Sequence, residues 1–226
     1  MEIDIGMGRC CVRPGGEAVS FAKRIARMKG INLRGIMGYE GHVVSIEDFE
    51  ERRRQCLRAV ERLPEAKSVI EKEGLEVEIV SAGGTGTYNI TGAFPGITEV
   101  QAGSYATMDA KYSGIVKEFD CALSVLTTVI SRPADDRAIV DVGMKSATTE
   151  FGPPIVKYMK GVRVSKLNEE HGILKLDDGA KLSLGDKIEL IPSHGCTTIN
   201  LHDRMHAVRK GYVEATWGIA ARGKSA

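Results

Sequence analysis

The run Ser81-Ala-Gly-Gly-Thr-Gly-Thr87 follows directly on an apolar segment, Val77–Ala82, that reads as a β-strand. Glycines let backbone N–H groups converge and the hydroxyls add donors, so Ser81, Gly83, Gly84 and Thr85 could cradle a phosphate. The same residues also make a plain strand-to-helix turn. The run is neither a Walker A loop, which needs Gly-Lys-Ser/Thr, nor a complete G-x-G-x-x-G. A second turn of small and hydroxyl residues, Gln101-Ala-Gly-Ser-Tyr105, ends the next strand and offers Gly103, Ser104 and Tyr105 to the same anion. Further on, Pro192-Ser-His194-Gly-Cys196 spaces an imidazole and a thiol at i and i+2. If the segment is a strand, both side chains point one way and could bind one soft divalent metal such as zinc, with coordination positions left open for substrate. A β-domain histidine beside a buried thiol fits the spacing equally. Tyr39-Glu-Gly-His42 follows the Leu33–Met37 strand, and Arg9 follows the Glu2–Ile5 strand. Tyr39 and His42 lie at a strand end, where barrel enzymes place polar chemistry, and Arg9 could grip a carboxylate or phosphate bidentately. His171, beside a turn glycine, reads as a surface residue, and His202 and His206 read as part of a strand region.

The elements that carry these residues change character along the chain. Up to about residue 115, apolar strands alternate with amphipathic helices: Glu17–Met28 is helical, Ser45-Ile-Glu-Asp48 reads as a capping box opening a long charged helix, Pro64 breaks or restarts that helix, and Gly74 ends it. Such alternation implies parallel strands with helical crossovers. In (β/α)8 barrels a phosphate commonly sits at the loops after strands seven and eight, and here the alternation stops after the second phosphate-type turn. The four strands therefore read as the last half of a barrel, with about four strands expected upstream. From residue 116 the chain becomes a series of short strands: 122–131, 138–142, 162–167, 173–176, 187–191, 206–209 and 213–219, split by turns such as Asp177-Asp178-Gly179 and Lys210-Gly211. The fold expected is α/β plus β: a partial TIM-like barrel over 1–115 and an all-β domain over 116–226.

Composition narrows the partners. The 226 residues are 42% hydrophobic and 27% charged with a formal net charge of +1, so no bias toward nucleic acid or anionic membrane is present. No segment has the length and apolarity of a membrane span, and the N-terminus has no signal-peptide pattern. Five cysteines, two adjacent at Cys10 and Cys11, read as reduced thiols in a cytoplasmic protein.

Taken in order, Glu2-Ile-Asp-Ile-Gly-Met-Gly-Arg-Cys10, Gly38-Tyr-Glu-Gly-His42, Ser81–Thr87, Gly103-Ser-Tyr-Ala-Thr-Met-Asp109 and Pro192-Ser-His-Gly-Cys196 resemble the D-threonine aldolase and D-serine dehydratase family, fold-type III pyridoxal-phosphate enzymes related to alanine racemase. The resemblance implies a TIM-like barrel carrying pyridoxal 5'-phosphate, a β-domain supplying ligands to zinc or manganese, a homodimer, and lyase chemistry on β-hydroxy D-amino acids. It implies that Gly83-Gly84-Thr85 and Gly103-Ser104 hold the cofactor phosphate, that His194 and Cys196 hold the metal, and that Tyr39 and Arg9 lie beside cofactor or substrate. In such enzymes the cofactor lysine precedes the Asp-Ile-Gly motif, where this chain begins, and Lys145 does not correspond to it. A fragment, a truncated product or half of a split enzyme is therefore expected. The alternatives are a metal-free racemase-like homologue and a non-catalytic half completed by a partner chain.

Overall fold

The computed structural model describes residues 1–10 and 12–224, so Cys11 lies outside the described residues. These form two compact units, one of residues 1–105 with 114–116, the other of 106–113 with the chain from 117 onward. Residues 106–113 go with the second unit because Ala110 N–H donates to the Pro192 carbonyl and the Asp109 side chain accepts from Gly195 N–H.

In the first unit, β1 (Gly35–Met37), β2 (Ile79–Ala82) and β3 (Glu99–Val100) form a parallel sheet in that order. Glu2 extends it by a parallel bridge to Met37, with Ile3 N–H donating to the Met37 carbonyl. The segment expected as a strand from Glu2 to Ile5 makes only isolated bridges, Glu2 to Met37 and Ile3 to Val12, because Asp4 Oδ1 takes the N–H groups of Gly6 and Gly8 and turns the chain. Helix α1 (Gly16–Ala26) buries Ala18 and Ala22 but leaves Phe21 exposed, and it ends before the expected Met28, which is exposed beyond it. Helix α2 (Phe49–Val60) is capped by Asp48, whose side chain accepts from Glu51 N–H. The cap is thus Asp48 itself and not Ser45, as a capping box over 45–48 would require. Helix α3 (Arg62–Glu71) follows at once. The interruption falls at Glu61, just after Val60, whose carbonyl is the i−4 group with which the Pro64 ring clashes. Short α4 (Tyr88–Thr91) opens from the glycine-rich turn. The core of this unit packs Ile3, Ile5, Ile36, Leu63, Ile70 and Val80 between sheet and helices.

The second unit starts with α5 (Ala110–Ile115, residues to 113) and is otherwise antiparallel. Strands β4 (Val125–Ala134), β5 (Arg137–Val140), β6 (Ile155–Val156), β7 (Val162–Leu167), β8 (Gly172–Leu176) and β9 (Lys187–Ile191) form one sheet ordered β6-β9-β4-β5-β8-β7. Alternate residues of β7, Val162 and Val164, point into a core with Val129, Val140, Leu174 and Leu190. Helix α6 (Gly195–Ile199) follows β9, and β10 (Arg204–Arg209) pairs with β11 (Tyr212–Gly218) as a separate ribbon.

Candidate functional site

The barrel-type unit gathers most of the residues picked out from the sequence. Residues 81–87 are all buried. Ser81 is not turned to a ligand: its hydroxyl donates to Glu99 Oε1 at 2.5 Å and accepts from Gln101 Nε2 at 2.7 Å, which locks β2 to β3. Gly83 N–H donates to Glu40 Oε2 at 3.1 Å and Gly84 N–H to Thr87 Oγ1 at 3.2 Å. Among the described residues, the N–H groups of Thr85 and Gly86 have no acceptor, nor have those of Gly103 and Ser104. Thr85 and Gly86 are buried, and a buried N–H without a partner is rare enough to need a reason, of which a bound anion is one; Gly103 is exposed and Ser104 half-buried. The second turn meets the first, since Tyr105 N–H donates to Thr85 Oγ1 at 3.0 Å.

Of Tyr39, Arg9 and His42, it is Tyr39 that lies against this turn, while Arg9 meets the Tyr39 ring and His42 packs at Gly6. The Tyr39 ring lies over Gly84: a Cβ on Gly84 would sit 3.1 Å from Tyr39 Cε2 and 3.2 Å from its hydroxyl. Gly86 is tighter still, because a Cβ there would lie 2.1 Å from the Val44 carbonyl oxygen. Arg9 stacks over the Tyr39 ring at 5.7 Å and also donates to Glu2 Oε1 at 2.9 Å, so it would have to exchange that partner to hold a ligand carboxylate. The His42 ring packs against the backbone of Gly6. Sequence reasoning did not single out Glu40, which is fully buried and accepts from Gly83, Thr87 and Thr91. Its signal was its place between Tyr39 and His42 in the quoted motif.

His194 and Cys196 belong to the second unit. They are not on a strand: β9 stops at Ile191, before Pro192, and His194 is the extended residue that precedes α6, which contains Cys196. The i, i+2 same-face argument therefore fails here, because proline cannot donate to a ladder and the chain turns into a helix. The His194 side chain is 17% exposed. Its Nδ1 lies 2.8 Å from Asp109 Oδ2, which also accepts from Gly195 N–H at 3.0 Å, while Asp109 Oδ1 accepts from Tyr112 N–H at 2.8 Å. Burial pushes the Asp109 carboxyl up, but the hydrogen bonds from His194, Tyr112 and Gly195 outweigh it and hold the group below the usual carboxylate range. The Asp109 hydrogen bond raises the His194 imidazole above its ordinary value. An ionised Asp109 accepts only, so Nδ1 carries the proton and Nε2 of the neutral ring keeps its lone pair. Phe151 packs edge-on against the ring at 5.0 Å. Cys196 is exposed, and the four described cysteines, Cys10, Cys56, Cys121 and Cys196, are free. Among the described residues no group of three or more His, Cys, Asp or Glu could hold a metal. His171 is exposed, His202 bonds the Ser146 carbonyl and His206 bonds Thr216, so none of the three joins this cluster.

A parallel β/α unit bearing an anion-type turn, with an antiparallel β-domain, is the barrel-plus-β-domain architecture of alanine racemase-like proteins. Residues 1–111 match the family described as alanine racemase, N-terminal domain, and residues 122–208 match the putative serine dehydratase domain. The chain belongs to the D-threonine aldolase and D-serine dehydratase family. It is 37% identical to a D-threonine aldolase of an Arthrobacter species, over 100% of this chain and 61% of that protein. The crystal structure of D-threonine aldolase from Filomicrobium marinum superposes with a TM-score of 0.95 at 36% identity, covering 98% of this chain and 62% of the other. D-threo-3-hydroxyaspartate dehydratase from Delftia sp. HT23 superposes with a TM-score of 0.84 at 28% identity, covering 96% and 64%. Solved forms of that dehydratase include a histidine-to-alanine mutant and, two positions on, a cysteine-to-alanine mutant in the metal-free form, the spacing of His194 and Cys196. The chain spans about three fifths of the length of these relatives.

Proposed function

We propose that this chain holds the cofactor phosphate and the metal of a lyase acting on β-hydroxy D-amino acids. The observation that carries the reading is the buried turn in which Thr85 and Gly86 have N–H groups without an acceptor among the described residues; on the adjoining turn the exposed Gly103 and the half-buried Ser104 also lack a protein acceptor. Four such donors on two joined turns suit a phosphate, and the family supplies pyridoxal phosphate as the molecule that carries it. Bound there, pyridoxal phosphate would supply an electron sink for charge at the substrate α-carbon, and a divalent ion on His194 and Cys196 a Lewis acid for the β-hydroxyl. Asp109 would fix the imidazole so that Nε2 faces the ion with its lone pair, the usual outer-shell arrangement for a metal-bound histidine. Tyr39 and His42 are the groups proposed to hold or move protons beside the turn, and Arg9, once released from Glu2, to take the substrate carboxylate.

Likeness to the aldolases, at 37% identity and a TM-score of 0.95, favours cleavage of the Cα–Cβ bond to an amino acid and an aldehyde. The His-x-Cys spacing shared with the dehydratase favours loss of the hydroxyl instead, ending in a 2-oxo acid and ammonia. Product analysis on the native protein that carries this sequence separates the two: D-threonine gives glycine and acetaldehyde in the first case, 2-oxobutanoate and ammonia in the second. Metal analysis of His194→Ala tests the ion. About one equivalent of divalent metal in the parent and none in the variant supports the assignment; equal metal in both sinks it.

A further inference from the structure

We infer that Glu40 is a positioning residue that sets the glycine-rich turn for the cofactor phosphate, an inference that rests on the reading of that turn as a phosphate site. Glu40 is 0% exposed, and a carboxylate taken wholly out of water is costly unless its oxygens are bonded. Apart from the Cys56 thiol of α2, 3.7 Å from Oε1, its side-chain partners lie on one stretch of chain and the helix beyond it. Oε2 accepts from Gly83 N–H at 3.1 Å, and Oε1 accepts from the hydroxyls of Thr87 at 2.7 Å and Thr91 at 2.5 Å. Thr87 Oγ1 in turn accepts from Gly84 N–H at 3.2 Å. The first two N–H groups of the turn are thus occupied, Gly83 directly and Gly84 through Thr87. The next two, on Thr85 and Gly86, are left without acceptors among the described residues. This division is what an anion site needs: some donors spent on internal order, the rest held in place before the ligand arrives. Tyr39, the preceding residue, presses its ring on Gly84, so one dipeptide holds the turn from two sides.

A buried carboxylate near a phosphate would ordinarily weaken binding by like charge. If charge were its main effect, Glu40→Gln would tighten the site. The bonding pattern says the reverse. One amide oxygen cannot accept at both carboxylate positions, so either Gly83 N–H or the threonine hydroxyls lose their acceptor. The experiment titrates this chain with pyridoxine 5'-phosphate, which has the ring and phosphate but no aldehyde to react with surface lysines, and with pyridoxine as the phosphate-free control. Glu40→Gln should raise the dissociation constant for the phosphate ester roughly tenfold or more, the weight of one charge-assisted hydrogen bond, and shift the bound 31P resonance, with pyridoxine binding unchanged. Thr87→Val, which removes the bridging hydroxyl at nearly constant volume, should weaken the ester likewise, and Thr87→Ser should restore it. Should Glu40→Gln lose its near-ultraviolet circular dichroism, the Thr87 pair decides alone. Parent-like affinity and 31P shift in Thr87→Val and in a folded Glu40→Gln overturn the role of Glu40 while leaving the turn as the phosphate site. Failure of the unsubstituted chain to bind the ester overturns the reading of the turn itself.

Discussion

A single buried carboxylate decides what His194 can do. Without Asp109 the imidazole loses its 2.8 Å partner at Nδ1, and with it the bond that sets the tautomer. On the proposed metal reading, Asp109→Ala is expected to weaken zinc binding about 10- to 100-fold, the usual cost of losing an outer-shell partner, as read by competition with a zinc-sensitive dye. Unchanged affinity would mean that Asp109 serves only to hold α5 and α6. Gly86 makes the opposite kind of demand, for the absence of an atom. With the Val44 carbonyl 2.1 Å from where a Cβ would be, Gly86→Ala forces backbone apart and should cost more than about 2 kcal/mol in urea unfolding. Gly84→Ala meets only the edge of the Tyr39 ring at 3.1 Å and should cost less. At this scale the sequence was readable where residue type implies geometry. Glycines and hydroxyls after a strand announced a turn with converging N–H groups. Glu40 and Asp109 were not readable as anchors, because an acidic residue in a turn looks the same whether it is solvated or fully enclosed. Burial separates the two cases, and burial comes from contacts far along the chain: Glu40 with Thr91, Asp109 with His194.

Elements follow local rules where these are strong. Strands β7 and β9 fall at the residues their alternation picks out, and the α2–α3 interruption follows from Pro64. Rules fail where two signals compete. Residues 191–196 read as a strand continuing through His194 and Cys196, yet Pro192 ends the ladder and the following residues turn into α6. Capping was assigned to Ser45 although Asp48 sits next to the first helical residue and does the work. Asp48→Ala should therefore lower stability by about 1 kcal/mol, whereas Ser45→Ala should leave it nearly unchanged, a contrast that thermal unfolding reads directly. The β-domain carries its own pH response. Asp141 Oδ1 accepts from Thr127 Oγ1 at 2.6 Å and Thr128 N–H at 2.8 Å, joining the end of β5 to β4, and these bonds hold its carboxyl below the ordinary value of 3.8. Lys157 and Ser124 do the same for Glu189 on β9. A carboxyl with a depressed folded value stabilises above its unfolded value and loses that contribution as pH falls through the folded one. Stability should thus decline as pH drops below about 4, and Asp141→Asn should flatten the decline.

At the scale of the whole chain, each unit has its own apolar core, one around Leu63 and Ile36, the other around Leu174 and Leu190. Leu63→Ala and Leu174→Ala should each cost about 2–5 kcal/mol, and hydrogen exchange should place each loss in the unit that carries the substitution. The near-neutral charge leaves no global field to draw in polyanions, and among the described residues no helix is long and apolar enough to cross a membrane. Fold class was legible from the change in period near residue 115, since βα alternation and short antiparallel runs bury their faces differently. The division into units was less so, because residues 106–113 follow the barrel-type turns in sequence but are tied by Asp109 and Ala110 to the β-domain. The most direct measurement of the central claim is a 15N–1H correlation spectrum of the chain titrated with pyridoxine 5'-phosphate. The account predicts saturable shifts largest at the amides of Thr85, Gly86, Gly103 and Ser104, with those of Gly83 and Gly84 moving less. Saturable shifts elsewhere, with these four amides unmoved, would contradict it.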